Sequence, residues 1–162
     1  MFKFSNLVLC SSLLGFLLVT TSATIAHDVA QTTQTQQTAE VITETPSLFV
    51  NLTSNDPWRA GMAINFAQNS LNKDHEVVIY LNIQGVNLAS AKIPQPINSH
   101  NGQNLQEMLK DFISQGGRVI ICPSCMKLAG VTQEDLIEGV EMSSPDVIET
   151  TLYRDQVRVM SW

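Results

Sequence analysis

The sequence predicts an α/β domain with a mostly parallel five-stranded sheet and helices on both faces, in a β-α-β-α-β-α-β-α-β order with right-handed crossovers. Three observations carry this prediction. Short runs rich in β-branched and aromatic residues alternate with segments whose apolar residues recur at three and four spacing. Residues 76–83 and 118–122 are nearly unbroken in apolar side chains, as in strands covered on both faces. The pairs Asp56-Pro57 and Cys122-Pro123 place a capping residue before a proline suited to the first helical position.

Taken in order, residues 47–53 form the first predicted strand. Asp56 caps a helix reaching about Leu71, with Trp58, Met62, Ile64, Phe66, Ala67 and Leu71 as its apolar face. Asn72-Lys73-Asp74 ends it, and residues 76–83 make the second strand. Residues 84–103, with Pro94, Pro96 and Gly102, form a connection long enough to be functional or partly helical. Asn104 starts a second helix whose apolar side is Leu105, Met108, Leu109, Phe112 and Ile113, ending at Gly116-Gly117. Residues 118–122 are the third strand, residues 123–129 a short helix stopped by Gly130. Thr132 caps a further turn over residues 133–138, with Asp135 in the capping-box position. A short strand at 139–142, a helix at 145–153 and a closing strand at 156–160 complete the pattern.

The 162 residues suffice for one domain with a substantial core. Before that domain, Lys3, the apolar run 7–19 and the small residues Thr20, Thr21, Ser22, Ala23, Thr24 and Ala26 have the three parts of a secretory signal peptide. The run is short for a membrane span. Cleavage is expected after Ala26, with Ala23 as the alternative. Cys10 lies inside the run behind a large Leu9, which does not fit a lipid-anchored cysteine. Residues 27–46 are rich in Thr and Gln, as in Gln34-Thr35-Gln36-Gln37-Thr38, and read as a disordered spacer. The domain proper is residues 47–162.

Removing residues 1–26 takes away Lys3 and Cys10. It leaves eight basic against fifteen acidic residues, a formal charge of −7. No basic cluster is present, which argues against nucleic acid and anionic membrane surfaces as partners. The expected location is periplasmic or secreted, where disulfides persist. A bridge between Cys122 and Cys125 would close a very small loop and do little for stability.

The chemistry-bearing stretch is residues 118–130, a strand that runs into a helix with a Cys-x-x-Cys at the junction. Ligands of open α/β sheets bind at the carboxyl ends of the strands, where Cys122 falls. As an N-cap residue it faces unpaired N–H groups, which favour a thiolate and lower the pKa below about 8.5. Cys125 lies one helical turn on and on the same face, so the sulfurs can approach each other. Two buried cysteines serving only as small hydrophobes are the plainer alternative. A thioredoxin-type fold is disfavoured by the late position of the motif and its central Pro-Ser. Zinc needs four ligands as a rule, so His27, His75 and His100 would have to converge on the cysteines from distant loops. No metal or other cofactor is expected.

Among further candidates, His100 and Gly85 lie in the long connection after the second strand, and Arg59 in the first turn after the first strand. These three are the candidate substrate-binding residues. His75 is expected at the opposite end of the sheet. Asn51-Leu52-Thr53 matches a glycosylation sequon but falls in a predicted buried strand.

With these residues placed, the chain resembles the DsrE/DsrF-like family, which includes the TusD-type sulfur-relay proteins. The resemblance covers residues 47–162. It rests on Pro57-Trp58-Arg59-Ala60 with Asn65-Phe66-Ala67; on the stretch from His75 to Val86; on Gly117 to Met126; and on Gly130-Val131 with Glu134 to Val140. It implies a three-layer α/β/α sandwich, often assembled as trimers or hexamers. In sulfur-relay members a cysteine at the end of this strand carries a persulfide received from a donor protein. Cys122 matches that position, and Cys125 matches a second cysteine found in a subset of relatives. Export and the polar spacer set this chain apart from the cytoplasmic relay proteins and from the sulfurtransferases that would feed them.

The leading expectation is an exported persulfide carrier or sulfurtransferase-like protein, with Cys122 as nucleophile and Cys125 as resolving thiol. Its partner would be a sulfur donor or acceptor protein, or a small sulfur compound. Two rivals stand beside it: a non-enzymatic oligomeric binding module using the 84–103 connection, and a periplasmic dithiol oxidoreductase.

Overall fold

The computed structural model describes residues 47–98 and 101–162. The expectations for residues 1–46, signal peptide and spacer, and for His100 lie outside the described residues.

Strands β1 (Ser47–Leu52), β2 (Val77–Leu81), β3 (Arg118–Ile121), β4 (Val140–Met142) and β5 (Val157–Ser161) form one sheet in the order β4-β3-β2-β1-β5. Every pairing is parallel. The predicted five strands are therefore all present, each within a residue or two of its expected bounds, and the sheet is wholly parallel. All carboxyl ends point the same way, so any site built there draws on several strand ends at once.

Register assigns the faces. Val50 pairs with Ile79, which pairs with Val119; Asn51 pairs with Tyr80, which pairs with Ile120. Side chains alternate along a strand. One face therefore carries Leu48, Val50, Leu52, Val77, Ile79, Leu81, Val119 and Ile121, packed beneath α1 (Pro57–Leu71) and α2 (Leu105–Ser114). The other carries Phe49, Val78 and Ile120, against Val147, Ile148 and Leu152 of a later helix, Pro145–Leu152. Helices on both faces make the three layers. Leu52, Leu81 and Ile121 end their strands fully buried. Each burial contributes about 1.5–3 kcal/mol, enough to hold the backbone under the strand ends rigidly.

Helix α1 departs from expectation. Its buried face is Ala60, Gly61, Ala63, Ile64 and Ala67, while Trp58, Met62 and Phe66 are exposed. Both sets have helical spacing. The small set faces the sheet because it lets the helix lie close to it, leaving the bulky set outside. Phe66 finds one partner, the Trp162 ring at 5.8 Å between centroids.

The caps read from the sequence are in place. Asp56 accepts from the Arg59 N–H at 3.0 Å, and Asn104 and Glu107 form a capping box on α2. Thr132 and Asp135 do the same for a 3-10 turn, Gln133–Asp135. The long connection is partly helical, with a 3-10 helix over Ile83–Ala89 whose Gly85, Val86, Leu88 and Ala89 are buried. Its remainder is tied down by side-chain amides: Gln106 donates to the Ser90 carbonyl at 2.8 Å, and Asn104 to the Gln95 carbonyl at 3.0 Å. Helix α3 (Pro123–Ala129) follows β3 directly and ends on Gly130, whose φ of 70° is the left-handed conformation that glycine adopts freely. The helix Pro145–Leu152 is α4, capped by Ser144.

Candidate functional site

Cys122 is the first residue after β3. Its N–H still donates to the Leu81 carbonyl at 2.9 Å, so the sheet fixes its backbone. Its φ and ψ are extended and its side chain caps α3, accepting from the Cys125 N–H at 3.4 Å. Both cysteines are free thiols and half-buried. The predicted junction is reproduced in this detail.

Donors converge on the Cys122 sulfur. Burial pushes its pKa up, but hydrogen bonds from the Cys125 thiol and N–H, the Tyr80 hydroxyl and the Ser124 N–H outweigh it, and the net shift is downward. Cys125 moves the other way. Burial and the adjacent Cys122 push its thiol up, against a hydrogen bond from the backbone of Ile83. Tyr80 is pushed up to about 12, first by burial and then by its contact with Cys122, while the Ser143 hydroxyl works in the opposite sense. The polar chain runs from Ser143 to Tyr80 to Cys122. The arrangement favours a thiolate on Cys122 beside a protonated Cys125, a nucleophile with a proton-bearing partner.

Three of these residues were not anticipated. Tyr80 sits opposite Ile120 in the β2–β3 register, two residues before Cys122 and on the same face. That parity is a usable signal once β2 and β3 are known to pair. The Phe49 ring, 5.9 Å away between centroids, braces it from β1. Ser143 follows β4, is buried, and donates its N–H to the Ile121 carbonyl at 2.9 Å, which carries its hydroxyl toward Tyr80. Ile83 has a φ of 49°, a left-handed backbone that is strained for a β-branched residue, and its side chain is 62% exposed. Its N–H bears on the Cys125 sulfur, and the Gln84 and Gly85 N–H groups that follow it both donate to the Thr53 carbonyl.

The other sequence candidates separate. Gly85 is buried, and a Cβ there would collide with the Leu52 carbonyl oxygen. Its N–H donates to the Asn82 carbonyl at 2.8 Å. Gly85 thus lets the connection cross the end of β1 and packs beneath the site. Arg59 has an exposed side chain on α1, and its backbone N–H serves the Asp56 cap. His75 lies at the amino ends of the strands, as expected, in a cleft of about 910 Å³ with Glu76, Tyr153 and Arg154, remote from the cysteines. Asn51 is partly buried in β1, where its amide donates to Ser161 at 3.2 Å and so belongs to the sheet. Among the described residues, no three His, Cys, Asp or Glu side chains converge to hold a metal ion. No helix among them is long and apolar enough to cross a membrane.

Comparison with known proteins turns this geometry into a classification. The chain matches the DsrE/DsrF-like family over residues 47–159, a span that holds β1 to β4 and the first part of β5. It belongs to the DsrE/DsrF-like family. That family is associated with sulfur relay. Two archaeal relatives are described as uncharacterised proteins. MK0008 of Methanopyrus kandleri is 37% identical over 86 residues, 53% of this chain and 68% of its own length. MJ0989 of Methanocaldococcus jannaschii is 36% identical over 86 residues, 53% of this chain and 72% of its own. Two solved structures share the fold. MTH1491 of Methanobacterium thermoautotrophicum, a protein of unknown function, has a TM-score of 0.55 at 18% identity, over 72% of this chain and 99% of its own. The ychN protein of E. coli has a TM-score of 0.57 at 19% identity, over 72% of this chain and 100% of its own. The DsrE/DsrF-like assignment agrees with the parallel five-stranded sheet and the helices on both faces.

Proposed function

We propose that this protein accepts sulfane sulfur as a persulfide on Cys122, acting as a sulfur carrier or sulfurtransferase, with Cys125 as the resolving thiol. The observation that carries the reading is the set of donors gathered on one sulfur: the Cys125 N–H and thiol, the Ser124 N–H and the Tyr80 hydroxyl. A thiolate is the form that attacks sulfane sulfur, and this pocket favours it. The partner is a sulfur donor or acceptor protein, or a small sulfur compound. The test is mass spectrometry after exposure to inorganic polysulfide: one added sulfur on Cys122 supports the reading, and equal uptake by Cys122→Ser overturns it.

The protein is proposed to work outside the cytoplasm, in the periplasm or secreted, on the strength of the signal-peptide pattern in residues 1–26. Fractionation of cells expressing the full chain tests this; retention of the uncleaved chain in the cytoplasm overturns it. A homo-oligomer, a trimer or hexamer, is proposed from the family and from the exposed Trp58, Met62 and Phe66 on α1. A binding module built on the 84–103 connection has less support, since its first half is packed into the domain.

A further inference from the structure

We propose that Cys125 discharges the sulfur held on Cys122, releasing it as hydrosulfide and leaving a Cys122–Cys125 disulfide, so that the pair reduces sulfane sulfur and is reset by a dithiol reductant. This rests on the reading of Cys122 as the sulfur-accepting residue.

A protein that only relays sulfur gains nothing from a second thiol against the first, because that thiol competes with the acceptor for the loaded sulfur. Here the second thiol is built in. The Cys125 N–H bonds the Cys122 sulfur at 3.4 Å, and its thiol also bonds that sulfur. The proximity of the two sulfurs carries the proposal, and Ile83 adds to it. The backbone N–H of Ile83, an exposed residue with a left-handed backbone, bears on the Cys125 sulfur and works to lower its pKa. The conformation is held from both sides, by the Asn82 N–H on the Leu52 carbonyl at 3.1 Å and the Gln84 N–H on the Thr53 carbonyl at 3.0 Å. A resting thiol does not need that donor, whereas a thiolate does. The site is thus equipped for negative charge on Cys125 as well as on Cys122, at a different moment.

The step balances as follows. Cys125 gives up its proton, and its sulfur attacks the Cys122 Sγ that bears the sulfane sulfur. A bond forms between the two Sγ atoms. The bond from Cys122 Sγ to the sulfane sulfur breaks, and its electron pair leaves with that sulfur. The departing sulfur carries the proton lost by Cys125 and leaves as hydrosulfide. The two protein sulfurs are together oxidised by two electrons and the sulfane sulfur is reduced by two. A dithiol reductant then returns two electrons and two protons by thiol–disulfide exchange. While Cys122 is free, the raised pKa of Cys125 keeps the proton in place for this step.

The experiment uses the full chain, reduced and desalted, loaded with inorganic polysulfide and freed of excess reagent, with no thiol present. Adducts are followed by peptide mass and released hydrosulfide by a sulfide electrode. The wild-type protein is expected to lose the Cys122 adduct, release hydrosulfide and end as the Cys122–Cys125 disulfide; dithiothreitol then restores its capacity for another round. Cys125→Ser is expected to load on Cys122 and keep its adduct after the wild-type adduct has gone. A wild-type adduct as persistent as that of Cys125→Ser overturns the proposal while leaving sulfur acceptance standing. Absence of any adduct on Cys122 in both proteins overturns sulfur acceptance and this proposal with it.

Discussion

The backbone N–H of Cys125 donates to the sulfur of Cys122, while the thiol of Cys125 is itself met by the N–H of Ile83. Two cysteines three residues apart are therefore chemically unequal. Alkylation of the reduced protein should follow two pH profiles, with Cys122 reacting at lower pH than Cys125. Peptide mapping after timed alkylation checks the order. Tyr80→Phe removes a donor to the Cys122 thiolate, and its pH midpoint should rise by about one unit, the worth of one hydrogen bond to a charged group. An unmoved midpoint would mean that the Tyr80 hydroxyl does not serve the thiolate.

Positions 83 and 85 should respond unequally to small substitutions. Ile83→Gly relieves a left-handed backbone costing about 1–3 kcal/mol, offset by the flexibility of glycine and the lost Ile contacts, so stability should stay within about 1 kcal/mol. Gly85→Ala places a methyl group against the Leu52 carbonyl and should destabilise by about 1–3 kcal/mol or more. Urea unfolding of both variants measures the contrast, and equal losses would contradict it.

The outward stripe on α1 leads to a prediction about assembly. Replacing Trp58 and Met62 with Lys removes apolar surface that is 73% and 52% exposed. The fold should lose no more than about 0.5 kcal/mol, as is usual for surface positions. Light scattering coupled to gel filtration should show the proposed oligomer for the wild-type protein and a monomer for the variant. Unchanged oligomers would place the interface elsewhere.

Asp135 makes the acid side of the stability profile predictable. Its carboxylate pairs with Lys92 and accepts from the Thr132 N–H at 2.9 Å, and Lys92 above all holds its pKa below the ordinary value. Because the folded pKa is depressed, this contribution is complete above the unfolded pKa and is lost as pH falls through the folded one. Asp135→Asn should therefore be less stable near neutrality and show a shallower loss of stability on acidification. Parallel acid-unfolding curves for the two proteins would refute the assignment.

Most of the architecture could be read from the chain because its signals are local. Asp56, Asn104, Thr132 and Cys122 cap as their side chains dictate, and the unbroken apolar runs became the central strands β2 and β3. Helix α1 departs from its sequence pattern because two apolar stripes share its surface, and spacing alone does not say which packs. The site divides the same way. Cys122 and Cys125 were visible because a strand end, a cap and a proline coincide in sequence. Tyr80 and Ser143 reach the sulfur only through register, which depends on which strands pair. Ile83 acts through its backbone N–H, which no side-chain pattern encodes.

The position of β1 also shapes how the molecule comes to be. It lies between β2 and β5, and the hydrogen bond from Thr53 to the Trp162 carbonyl spans 109 residues. Until residues 157–161 have been synthesised, one side of β1 offers an open row of amides and carbonyls beside Leu48, Val50 and Leu52. Such distant closure makes folding slow, and an open strand edge invites pairing with other chains. The growing chain therefore carries an edge open to pairing until its β5 segment is free to dock.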